Sequence, residues 1–214
     1  MRLKFLFIVI LLLLPVQSVL TQPVGTDEAI QRLREVRERT KDFTADLIQE
    51  KTLATLRQKL VSKGKIRYKH PDKVYLEIFS PESTQMSFDG KNLLIYYKED
   101  GVAERYSAQS HPMIEMYLLF LRDPFQERLA RWKIAEDQES FLVIEIVPKG
   151  GDFAFDRARL RVSKGDWVIT AMEWVERSGD TTLLRYSNIQ LNTGLTDSAF
   201  EIYLPKNTKV MDVK

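Results

Sequence analysis

Segments of strand length whose apolar residues recur at every second position, separated by Gly-containing turns, predict a mainly β fold. A single amphipathic stretch precedes them, and one dense apolar stretch interrupts them. Together these predict an α+β chain built on a curved antiparallel sheet with a few helices.

The helix comes first. Thr26 is placed to cap it, and Asp27 and Glu28 put negative charge in a first turn where the helix dipole favours it. Ala29, Ile30, Leu33 and Val36 then fall on one stripe among Arg32, Arg34, Glu35, Arg37, Glu38 and Arg39, which predicts a helix over Asp27–Lys41 with one buried face.

From Phe43 the period changes to two. Thr44–Leu56 and Gln58–Lys69 are expected to pair as a hairpin, and Lys73–Phe79 places Val74, Leu76 and Ile78 on one face. Asp89-Gly90 turns Thr84–Phe88 into Asn92–Lys98, and Glu99-Asp100-Gly101 turns the chain into Val102–Tyr106. Phe141–Pro148, Asp156–Val162, Trp167–Glu176 and Thr181–Gln190 are four further strands. Their regular spacing predicts a meander in which sequence neighbours pair.

The stretch Pro112–Leu121, PMIEMYLLFL, lacks alternation and is bounded by prolines, so it predicts a short apolar helix. Phe125–Arg131 is expected to continue it by a turn or two. Several strands are apolar on both faces, Leu93-Leu94-Ile95-Tyr96-Tyr97 among them, so neither face should meet only water. Helices and sheet curvature can absorb both faces into an ordinary core, or part of the concave surface can line a cavity for an apolar ligand. The methionine-bearing helix fits either a core helix or a lid.

Ahead of the helix, Arg2 and Lys4 precede an uninterrupted apolar run from Phe5 to Leu14, broken at Pro15 before Ser18. This order is that of a secretory signal, and the run is shorter than the ~20 residues of a bilayer span. Residues 1–20 are therefore expected to be a cleaved signal peptide and 21–214 a single domain in a secreted, periplasmic protein. There is no cysteine, so packing alone holds the fold and lipid anchoring through a cysteine is excluded.

With 32 basic and 30 acidic residues the net charge is +2, which argues against a nucleic-acid footprint. No nucleophile elbow, phosphate loop or His-Glu-x-x-His pattern occurs, and the two histidines, His70 and His111, do not make a metal site. Asp46 with Glu50, and Glu136 with Glu139, have no neighbour that singles them out as acid and base. Arg157, Arg159 and Arg161, like Lys65, Arg67 and Lys69, alternate as solvated strand faces. Neither an enzyme, a cofactor nor a metal is expected; the remaining class is a binding protein.

Three segments give that class a family. GKIRYKHPDKVYLEIFSP at Gly64–Pro81, MSFDGKNLLIYY at Met86–Tyr97 and NTGLTDSAFEIYLPKNTKVMD at Asn192–Asp212 resemble the periplasmic outer-membrane lipoprotein carrier family, LolA, in order and spacing. The resemblance spans nearly the whole chain after the leader. It implies an incompletely closed antiparallel barrel, or half-barrel, covered by helices, with an apolar interior that accepts lipoprotein acyl chains or another lipid. Val74, Leu76, Ile78, Met86 and Ile95 are then the expected lining residues on the sheet, and Met116, Leu119 and Phe120 those on the lid.

The resemblance further implies a monomer that moves cargo from an inner-membrane donor to an outer-membrane acceptor. A periplasmic lipid-sensing or regulatory module on the same fold is the alternative. Family members often carry an arginine before the proline of the early strand, in contact with the lid and supporting release; here His70 stands there, without a permanent fork-shaped charge.

Overall fold

The structure is a computed structural model that describes residues 24–55, 58–108, 125–150 and 155–213. Helix α1 runs Thr26–Arg39, with Gly25 rather than Thr26 in the capping position. The Gly25 carbonyl accepts from Ala29 N–H at 2.9 Å, so the backbone closes the first turn and the Thr26 side chain plays no part in it. The helix ends two residues earlier than its pattern suggests, because Thr40 turns extended, its hydroxyl donating to the Val36 carbonyl at 2.7 Å.

Twelve strands follow: β1 Asp42–Leu53, β2 Gln58–Lys69, β3 Lys73–Ser80, β4 Thr84–Phe88, β5 Asn92–Tyr97, β6 Val102–Ser107, β7 Ala130–Asp137, β8 Phe141–Pro148, β9 Phe155–Ser163, β10 Ile169–Glu176, β11 Thr181–Leu191 and β12 Lys209–Val213. They form one open, curved sheet in the order β12-β6-β5-β4-β3-β2-β1-β11-β10-β9-β8-β7. Two meanders, β1–β6 and β7–β11, are thus zipped together where β1 pairs with β11.

Three further details depart from the sequence expectation. Phe125–Arg131 is not a helical continuation: the chain turns, and Ala130 opens β7 instead. Trp167 stands outside β10 in the left-handed region at φ 60°, because it closes the tight turn from β9. A twelfth strand joins at the edge, parallel to β6, where a meander has only antiparallel neighbours.

Residues opposite one another across paired strands share a face. On the face shared with α1, called inner here, Leu160 and Ile144 face each other, as do Ala158 and Ile146. These pack with Ala29, Ile30, Leu33 and Val36 of α1 and with Phe125, Phe155 and Trp167 into one core. The helix therefore closes the β7–β10 half of the inner face.

The outer face of the other half is covered by the chain itself. After β11, residues 192–208 cross over β2, β3 and β4 as a strap that includes a single 3-10 turn, Asp197–Phe200. Arg67 Nη1 donates to the Ala199 carbonyl at 2.8 Å, Lys69 Nζ to the Leu195 carbonyl at 2.9 Å, and the Ser87 hydroxyl to the Phe200 carbonyl. Tyr75, Tyr96 and Phe200 are buried on this side.

Candidate functional site

The inner face of β2 to β5 differs from the half under α1. Its central row runs Ala45, Ile66, Leu76, Met86 and Ile95 across β1 to β5, each directly opposite the next. A second row holds Phe43, Tyr68, Val74, Phe88 and Leu93, with the Phe43 and Tyr68 rings stacked at 5.4 Å. A third holds Leu47, Gly64, Ile78, Thr84 and Tyr97.

Alternation along five strands thus builds a contiguous apolar wall. Ile66, Leu76, Ile78, Met86 and Ile95 on it are only half-buried, and among the described residues none belongs to either packed core cluster. Val74 lies at its margin, against the small cluster of Phe88 and Ala108.

All five residues expected on the sheet therefore meet on one face, with Leu76, Met86 and Ile95 in register. Met116, Leu119 and Phe120 lie outside the described residues. Ile66, Leu93, Tyr97 and Tyr186 complete the wall and are not among the lining residues named from the sequence, although the alternation of β2 and β5 places the first three there.

His70 is exposed at the end of β2, its N–H donating to the Lys41 carbonyl at 2.8 Å. It lines an open cleft of about 340 Å³ with Glu38, Lys41, Asp42, Lys69 and Leu195, at the junction of helix, sheet and strap.

Polar groups on the wall are few. Glu104 of β6 stands opposite Ile95, and its Oε2 accepts from the Tyr106 hydroxyl at 2.7 Å and from that of Tyr97 at 3.4 Å. The hydrogen bond that Tyr106 donates to this carboxylate pushes its pKa up to about 12, with burial adding to the effect. Burial, then the same carboxylate, raises Tyr97 as well. Among the described residues, no group of three or more His, Cys, Asp or Glu side chains is placed to hold a metal ion. No helix among them is long and apolar enough to cross a membrane.

An open half-barrel, one side of its inner face filled by a helix and the other left as an apolar wall, is the class that these features define. The family model described as "Outer membrane lipoprotein carrier protein LolA" matches residues 38–203, and the chain belongs to that family. An outer-membrane lipoprotein carrier protein of Dechloromonas aromatica is 27% identical over 184 residues, covering 86% of this chain and 87% of its own. That of Ralstonia nicotianae is 29% identical over 151 residues, covering 70% of this chain and 69% of its own.

Among solved structures, an uncharacterized conserved protein of Thermus thermophilus shares the fold with a TM-score of 0.56 at 12% identity, covering 87% of this chain and 98% of its own. The MucA/MucB complex of Pseudomonas aeruginosa contains a chain matching with a TM-score of 0.50 at 11% identity, covering 87% of this chain and 63% of that one. At such identities these two likenesses speak for the fold alone.

Proposed function

We propose that this chain is a periplasmic carrier that takes the acyl chains of a lipoprotein, or of another lipid, against the inner face of β2–β5 and moves them between the inner and outer membranes. One observation carries the reading: the row Leu76, Met86, Ile95 is apolar, in register and part of neither packed core cluster among the described residues. Family membership supports a carrier rather than an enzyme, and the leader-like first 20 residues support export to the periplasm.

The physical need is clear. Each acyl methylene transferred to water costs about 0.8 kcal/mol, so a ~16-carbon chain costs on the order of 12 kcal/mol and does not cross unaided. An apolar wall removes that cost for as long as cargo occupies it. Affinity stays moderate when contacts made by the empty protein must be given up on loading, so passage to a stronger acceptor remains downhill. In this reading the segment bearing Met116, Leu119 and Phe120 is the lid, and His70 acts at lid contact or release.

The test is native mass spectrometry of protein purified from its own envelope, for the wild type and for Leu76→Asp. Lipid or acylated peptide recovered with the wild type and absent from an equally well secreted Leu76→Asp supports carriage. Equal recovery from both removes the wall from the mechanism. Capture of a signalling protein instead of a transport complex would favour the regulatory alternative.

A further inference from the structure

The inner face of the sheet carries four tyrosines, and three of them have their hydroxyls engaged. Tyr68 donates to the Pro71 carbonyl at 2.9 Å, while Tyr97 and Tyr106 share the Glu104 carboxylate. The fourth, Tyr186 of β11, stands opposite Leu47, in line with Gly64 and Ile78 of the wall. It belongs to neither packed core cluster.

Its hydroxyl makes no hydrogen bond to any residue. It lies deep among the atoms of the fold, and burial pushes its pKa far up. It is nevertheless not sealed, because the residue is only half-buried and keeps part of its surface accessible. A side chain that lies deep in the fold, keeps accessible surface and leaves its hydroxyl unpartnered borders internal free space. Leaving such a group unpaired is costly, so whatever fills that space should supply an acceptor.

The charge on the wall narrows the acceptor's chemistry. Glu104 is the one ionisable carboxylate or cation on the inner face of β2–β6 among the described residues, and it forms no ion pair there. Glu104 lies six strands from Tyr186 along the sheet, and the cation on the inner face of adjacent β1, Lys51, is already paired with Glu176 at 3.4 Å, so an anion at Tyr186 would be desolvated without a free counter-charge, whereas a neutral carbonyl is not.

We propose that the Tyr186 hydroxyl is the polar docking point of the hollow, donating a hydrogen bond to the neutral carbonyl oxygen of an acyl ester or amide at the head of the bound chain. This rests on the carrier reading and adds to it the position of the cargo's head and a preference for neutral acyl groups over free fatty acids. Register, rather than apolar contact alone, then decides how far the chain enters.

The test uses a matched pair of ligands, 1-monopalmitoylglycerol and 1-O-hexadecylglycerol, which differ in having an ester carbonyl or an ether, together with palmitate at neutral pH. Each displaces a fluorescent hydrocarbon probe from the purified protein. The wild type is expected to favour ester over ether by about tenfold, the worth of one good buried hydrogen bond, and to bind palmitate more weakly than the ester. Tyr186→Phe should erase the ester preference while its melting temperature stays that of the wild type.

Equal affinity of the wild type for ester and ether overturns the proposal whether or not the variant folds. So does an ester preference that survives in Tyr186→Phe, or tighter binding of palmitate. If the wild type takes up neither the probe nor any of these ligands, the carrier reading itself fails, an outcome distinct from loss of the ester preference alone.

Discussion

Asp42 begins β1 with a side chain only 4% exposed. Burial alone raises a carboxyl pKa, but the Thr193 hydroxyl and the Thr193, Leu195 and Gly194 N–H groups all donate to it at 2.6–3.2 Å and outweigh that, holding the pKa below 3.8. A carboxylate lowered in the folded state stabilises above its unfolded pKa. That contribution fades as pH falls through the lower folded value. Asp42→Asn should cost about 2–3 kcal/mol in urea unfolding at pH 7, and the difference from wild type should shrink in the acid range, below the ordinary aspartate pKa.

Gly64 makes a steric argument of the same kind. A Cβ there would lie 2.1 Å from the Glu77 carbonyl oxygen on β3, a backbone atom that cannot swing away. Gly64→Ala should therefore spread β2 from β3 and lower stability by about 1–3 kcal/mol, seen as a lower melting temperature.

At the scale of elements, the strap carries most of what periodicity did not show. Its residues 192–208 have no repeating pattern, and they are held by side chains reaching up from the sheet: Arg67, Lys69 and Ser87 to its carbonyls, and Lys69 and Lys73 to Asp197, whose pKa those two ammonium groups pull down to about 2. Phe200 is its apolar anchor, 4% exposed. Phe200→Ala should cost about 3–5 kcal/mol and increase binding of an apolar dye, since Tyr75 and Tyr96 lie beneath the same layer.

The strap also explains why β12 was not legible. Lys209–Val213 is five residues long, and it becomes a strand because the strap delivers it to β6, roughly a hundred residues earlier in the chain. Strand β7 is a different case. Ala130, Trp132 and Ile134 do alternate, but they follow directly on a dense apolar stretch without alternation, which masks where the period of two begins. Helix α1 was legible nearly to the residue because its stripe of Ala29, Ile30, Leu33 and Val36 is the face that is buried.

For the whole molecule, the division of the inner face between core and wall yields the sharpest contrast. Ile144, fully buried beneath α1, and Ile95, half-buried on the wall, are both isoleucines in mid-strand. Ile144→Asp places a charge where nothing can pair it, and soluble folded protein should be lost. Ile95→Asp should leave a folded, monodisperse protein, its melting temperature lowered by only a few degrees, that no longer retains lipid. Circular dichroism and lipid extraction of the two variants measure both outcomes.

Local pattern along the chain is enough for the mainly β character, the first helix, ten of the strands in outline and the face on which Val74, Leu76, Ile78, Met86 and Ile95 project. These depend on local periodicity, which each segment carries within a few residues. It takes the packed three-dimensional fold to settle which half of that face α1 fills, that β1 zips onto β11, that a strap covers the outer side, and that Tyr186 comes to stand beside Leu47 with its hydroxyl unengaged. Those depend on contacts between residues more than a hundred positions apart, and a buried apolar strand reads the same whether a helix or an empty space lies against it.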